Sequence, residues 1–224
     1  MGRLFTATAA VIFLASSSAY AQPTAMVAGL RVAGAGEAAP AVPQGGAKAH
    51  QVEAMLSRIS LPEGFRISLF ALVPDARHIA VSADGNVIFV GTYRDRLYAL
   101  TARPDRTAAA EVRRFAADVS LTIPNGPCLG PDGTLYVVEL NRILAYPAAA
   151  RTYRDPTVEA RVVVPSGKLI PQGEERTIHG ARVCRVGPDG KLYVALGQPY
   201  NVSPAEKAPL YAREGIGGII RMGT

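Results

Sequence analysis

The sequence predicts an all-β protein built as part of a β-propeller, and three observations carry that expectation. Three segments of equal length, residues 77–93, 125–141 and 182–198, align on an Asp-Gly turn at Asp84, Asp132 and Asp189, 48 and 57 residues apart. Each turn is flanked by short runs rich in β-branched and aromatic residues, such as Leu135-Tyr136-Val137-Val138, and no 3.6-residue period competes with them. The 224 residues also include 22 Gly and 17 Pro, a density that suits many short strands better than a helical bundle. A hairpin followed by further strands, recurring every roughly 40–50 residues, is the pattern of a four-stranded blade.

Residues 1–21 read as a signal peptide. Arg3 supplies a short positive n-region, residues 4–15 a twelve-residue, mostly apolar stretch, and Ala19-Tyr20-Ala21 a small-x-small cleavage site. As a helix that stretch would span about 18 Å, short of the roughly 30 Å hydrocarbon core. No later stretch reaches eighteen apolar residues without a charge. The expectation is an exported protein, periplasmic or secreted, without a stable membrane span. Residues 22–60 form an Ala/Gly/Pro-rich leader expected to be flexible, with a short helix over 50–58 that Leu61-Pro62-Glu63-Gly64 stops; His50 there is expected to be solvated.

Residues 61–224 hold the partial propeller. Residues 65–70 read as an extra strand, placed to complete the final blade of a closed ring. The first unit continues with strands over 96–102 and 112–115, the second with 142–146 and 161–164, and the third ends after a strand over 218–222. That gives about two and a half blades plus an N-terminal closing strand. The chain therefore reads as the N-terminal part of a longer propeller.

Lys and Arg total 24 against 18 Asp and Glu, a formal charge of +6, but no run of five like charges occurs. This describes a basic surface rather than a nucleic-acid site. Three scattered histidines and two cysteines form no local metal motif, and no metal ligand is nominated. Export permits a Cys128–Cys184 bridge. However, Cys128 lies four residues before its turn aspartate and Cys184 five, so side-chain alternation turns them opposite ways and a direct bridge is not expected.

Arg77, Asn125 and Arg182 each lie seven residues before the turn aspartate. They are placed either as a polar ring near the channel mouth or as loop-capping groups. His179 ends the polar loop 171–178 directly before the innermost strand of the third unit. A neutral imidazole on such a loop can accept a proton near pH 7. His78 opens the first strand and is read as packed or hydrogen-bonded.

The run from His179 through Cys184 and the Gly187-Pro188-Asp189-Gly190 turn to Gly197 resembles the pyrroloquinoline-quinone (PQQ)-dependent sugar dehydrogenases, the soluble glucose and sorbosone dehydrogenase-like proteins. Supporting pieces are residues 61–71, Ile123-Pro124-Asn125-Gly126, 139–146, Pro199-Tyr200-Asn201-Val202 and 218–222. The resemblance implies a six-bladed propeller that holds the quinone and calcium at the top of its channel. It implies His179 as the general base toward a sugar substrate, with Arg182 and Asn201 as cofactor contacts, while calcium and most quinone ligands come from later blades. On that basis this chain alone would not bind cofactor tightly and would be inactive. Ile178 stands where glucose-oxidising relatives carry an acid, and Gln198-Pro199-Tyr200 where they are more polar, so the resemblance is nearest the sorbosone-like branch.

Two alternatives belong to other classes. One is a calcium-dependent gluconolactonase-type hydrolase, suggested by Pro124-Asn125-Gly126 ahead of residues 130–136, with Asn125 as a metal ligand. The other is a non-catalytic propeller that binds a partner.

Overall fold

The computed structural model describes residues 39–224; the expected signal peptide and the leader up to residue 38 lie outside them. Among the described residues, eleven strands form three antiparallel sheets. The first contains β1 (Ala76–Val81), β2 (Val87–Thr92), β3 (Leu97–Ala102) and β4 (Ala109–Phe115), paired in that order. The second contains β5 (Gly126–Leu129), β6 (Leu135–Val138), β7 (Ile143–Tyr146) and β8 (Arg161–Val164). The third contains β9 (Arg182–Val186), β10 (Leu192–Leu196) and β11 (Ile219–Met222). These are two four-stranded blades and one three-stranded blade of a partial propeller.

The three Asp-Gly turns share one local chemistry. In each, the aspartate Oδ1 accepts the backbone N–H two residues on, from Asn86, Thr134 and Lys191, at 3.0–3.1 Å. The following glycines, Gly85, Gly133 and Gly190, adopt φ of 72°, 81° and 70°, where a Cβ would be strained. Local residue chemistry thus specifies each hairpin turn.

The blades pack face to face, and strand alternation divides their side chains between two cores. Leu135 and Val137 of β6 join Phe89, Leu97, Phe115 and Tyr146 between the first and second blades. Tyr136 and Val138 turn the other way and join Cys128, Cys184, Leu192 and Val194 between the second and third. The innermost strands β1, β5 and β9 lie side by side. The approach of β5 to β9 is close enough that a Cβ on Gly126 would collide with the Arg182 carbonyl and the Val183 backbone.

Cys128 and Cys184 are joined by a disulfide with Cα atoms 5.6 Å apart, which corrects the expectation that they would not bridge. Side-chain alternation sets which face each cysteine takes within its own blade, but not which faces two blades turn toward one another. Neighbouring blades present opposite faces to one another, so residues that point opposite ways on adjacent innermost strands meet in the shared gap.

Residues 65–70, expected as a closing strand, form none. Phe65 is 70% exposed, and the Phe70 carbonyl accepts the Ala109 N–H at 2.8 Å outside any ladder. Alternating apolar residues offer a face to bury, but a strand also needs a neighbour to hydrogen-bond. Phe70, Ala71 and Val73 instead lie on the free face of the first blade, against Val90, Tyr98, Leu100 and Val112.

A helix, α1, occupies Ala47–Leu56. Before it, residues 41–44 run along the outer strand β4: Ala41 bridges Arg113, Val42 donates to the Val112 carbonyl at 2.8 Å, and the Gln44 side chain bonds the Leu72 backbone in both directions. Two further helices, α2 (Ala149–Thr152) and α3 (Ala208–Glu214), sit in connections. Among the described residues no helix is long and apolar enough to cross a membrane.

Candidate active site

Antiparallel order within each blade sends the β2–β3, β4–β5, β6–β7, β8–β9 and β10–β11 connections to one end of the arc. Hydrogen bonds tie them there, including Ile123 N–H to the Arg94 carbonyl at 2.6 Å and Gly167 N–H to the Asn141 carbonyl at 2.9 Å. The β8–β9 connection, residues 165–181, carries His179 and is gripped from three sides.

The second blade holds its first part. Asn141 Oδ1 accepts the Leu169 and Ile170 N–H groups at 2.8 and 2.7 Å, while its amide donates to the Ile170 carbonyl at 2.9 Å and to the Glu175 carboxylate. The β10–β11 connection holds the middle. Glu174, only 4% exposed, accepts the Tyr211 hydroxyl at 2.7 Å and the Lys207 ammonium. Those two donors, Lys207 foremost, keep the Glu174 carboxyl below its usual range. Burial and the neighbouring carboxylate push the Tyr211 hydroxyl up to about 12. The first blade holds the end: the Tyr93 hydroxyl donates to the Thr177 carbonyl and accepts the Gly180 N–H at 3.3 Å.

His179 sits in the turn closed by the Gly180 N–H on the Thr177 carbonyl at 3.1 Å. It is exposed and adopts φ 58°, a left-handed conformation uncommon for a residue with a Cβ. The next residue must be glycine, because a Cβ on Gly180 would lie 2.6 Å from the Arg176 carbonyl and 2.7 Å from Leu140 Cδ1.

Arg182 is 2% exposed. Its Nη1 donates to the carbonyls of His179, Ala181 and Gly197 at 3.2, 3.4 and 3.1 Å, and its Nε is buried without a partner. Among the described residues no carboxylate pairs with it, and burial pulls its pKa down. A buried guanidinium balanced by carbonyl dipoles alone is well disposed to receive an anion. Through its backbone carbonyl Arg182 also accepts the buried Asn125 amide at 2.9 Å.

The remaining sequence candidates are dispersed. Asn201 is exposed on the connection after β10, and no hydrogen bond joins it to His179 or Arg182 among the described residues. Arg77 pairs with Asp75 at 3.5 Å and lies over the Tyr93 ring, 5.5 Å from its centroid. Arg77, Asn125 and Arg182 therefore share a register but not an environment. His78 is half-buried on β1, its pKa lowered by burial and by the Arg185 charge, and His50 is exposed on α1. Tyr93, Asn141 and Glu174 escaped the sequence reading. Each acts on a segment 28 to 87 residues away, and no short motif marks such a contact.

No family model and no curated protein sequence matches this chain. Solved structures do. A Trichoderma reesei enzyme of Carbohydrate-Active Enzymes Family AA12, known in an iodide and a calcium structure, matches 72% of this chain at 20% identity with a TM-score of 0.55. This likeness shows a shared propeller fold. The PQQ domain of Coprinopsis cinerea pyranose dehydrogenase matches 57% of the chain at 14% identity with a TM-score of 0.45 and is covered to 29% of its own length. A Xanthomonas campestris gluconolactonase matches 59% at 17% identity with a TM-score of 0.43. The chain spans 38–39% of the length of the Trichoderma and Xanthomonas proteins.

Proposed function

We propose that this chain contributes the base-bearing blades of a propeller oxidoreductase that oxidises a sugar or sugar aldehyde of the sorbosone type, with PQQ as hydride acceptor. The observation that carries the reading is the pairing of an exposed, left-handed His179 with a buried, carboxylate-free Arg182 whose Nη1 bonds the His179 carbonyl at 3.2 Å. The resemblance of residues 179–197 to PQQ-dependent sugar dehydrogenases and the fold shared with a carbohydrate-active enzyme support it.

The residues present fit a carboxylate-bearing quinone. The Arg182 guanidinium, with Nε unpartnered, would bind an anionic group of the cofactor and regain the charge balance that burial denies it. When bound, the quinone supplies the acceptor for the hydride leaving the substrate carbon. The His179 imidazole would take the proton of the hydroxyl on that carbon, that of the sugar or of the hydrated aldehyde, so that no free alkoxide need form. Asn201 is assigned a peripheral contact on the same cofactor. For calcium, no three His, Cys, Asp or Glu side chains cluster to hold a metal among the described residues. No step is therefore routed through it.

The Cys128–Cys184 disulfide supports residence in an oxidising compartment, the periplasm or the exterior. For the lactonase alternative, Asn125 is buried and its Nδ2 donates to the Arg182 carbonyl at 2.9 Å, so only its Oδ1 would be left to ligate a metal.

The test is dye-coupled oxidation of sorbosone and glucose by the full-length gene product with added PQQ and calcium, alongside PQQ binding followed by absorbance. His179→Ala should abolish turnover while retaining binding, and Arg182→Ala should weaken binding. Undiminished turnover in the His179 variant would remove the proposed base.

A further inference from the structure

We propose that Tyr93, on the β2–β3 turn of the first blade, is the positioning residue for His179, an assignment that rests on His179 as the proton acceptor. The Tyr93 hydroxyl spans both ends of the four-residue turn that displays the imidazole. It donates to the Thr177 carbonyl and accepts the Gly180 N–H, so only Ile178 and His179 lie between its two contacts. The reach is long, 84 and 87 residues in sequence, and it passes over the second blade to the entrance of the third.

Tyr93 is itself anchored. Its N–H donates to Asp75 Oδ2 at 2.8 Å, and the Arg77 guanidinium lies over its ring. The turn has little freedom to adopt another shape, since Leu140 and the Arg176 carbonyl close the space beside Gly180. Anchor, hydroxyl and packed glycine together fix the left-handed His179, and with it the direction of the one ionisable side chain on the turn. Tyr93 touches neither substrate nor cofactor in this scheme; it acts through the His179 backbone.

The experiment is Tyr93→Phe, which removes the hydroxyl and keeps the ring over which Arg77 lies. Two readouts are independent of activity: amide exchange at Gly180 and the NMR titration of the His179 imidazole, with His50 as an internal reference. Loss of one hydrogen bond should speed Gly180 exchange about tenfold. The His179 titration should shift while that of His50 does not. Gly180→Ala, which disturbs the same turn from its other side, should move the His179 signals as well. In the full-length product, kcat should fall about tenfold with KM within about twofold and with an altered pH profile, as expected for a misaimed base. Unchanged Gly180 exchange and His179 titration in a folded Tyr93→Phe protein would overturn the proposal. If His179→Ala remains active, the role of His179 as base fails, whereas these NMR signals still decide whether Tyr93 sets the turn.

Discussion

Cys128 and Cys184 stand on opposite faces of their own blades and meet in the gap between them, with Cα atoms 5.6 Å apart. Their bond ties innermost strand β5 to innermost strand β9, where Gly126 already brings the two backbones into contact. The link closes a loop of 56 residues in sequence separation. In the chain-entropy account, removing it should cost about 2–4 kcal/mol. Urea unfolding of the Cys128→Ala/Cys184→Ala protein, compared with the oxidised parent, measures this directly; a change below about 1 kcal/mol would show that packing alone joins the blades.

Gly126→Ala tests the same junction without touching sulfur. The added Cβ meets main-chain atoms at Arg182 and Val183, which cannot rotate away. A loss of about 1–3 kcal/mol is expected. Thermal melting should show it, whereas Gly45→Ala, where an added Cβ meets nothing within 4 Å and the backbone is not left-handed, should cost less.

Glu174 and Glu139 should respond to pH in opposite senses. Hydrogen bonds from Lys207 and Tyr211 hold Glu174 below the ordinary value of 4.5, so its contribution is complete above that value and disappears as pH falls through the folded-state value. Burial outweighs the Arg142 ion pair and holds Glu139 above 4.5, so its contribution is complete below 4.5 and disappears as pH rises through the raised value. Melting temperatures between about pH 3 and about pH 7 should therefore fall less steeply toward acid in Glu174→Gln. In Glu139→Gln the decline just above pH 4.5 should be smaller than in the parent. Identical curves in all three proteins would contradict the assignments.

His179→Gly separates stability from chemistry. The native φ of 58° strains a side-chain-bearing residue and suits glycine. Stability should stay level or rise by up to about 1 kcal/mol while proton acceptance is lost. Calorimetry beside the oxidation assay reads both, and a clear destabilisation would mean that the imidazole itself holds the turn.

The blades were legible because their determinants are local. Asp84, Asp132 and Asp189 each close a hairpin with a bond two residues away, and the flanking β-rich runs need only pair with their neighbours in sequence. The disulfide was misread because alternation compares faces within one sheet, while the bridge depends on how two sheets stack. Residues 65–70 looked like a strand because their side-chain pattern says nothing of a ladder partner. At the candidate site, the places of His179 and Arg182 ahead of the third Asp-Gly turn can be read from the sequence, while their roles remain proposals. Tyr93, Asn141 and Glu174 cannot be read there, because each works only after three blades have brought distant connections to one end.

Residues 41–44 lie outside the repeat yet occupy the outer side of β4, with Val42 and Ala41 taking up main-chain groups of Val112 and Arg113. An exposed rim strand is a template on which a second molecule can polymerise by strand addition. Here a short stretch of the chain serves as its own blocking strip, so part of the outer edge of the first blade is closed to such addition by residues that belong to no blade.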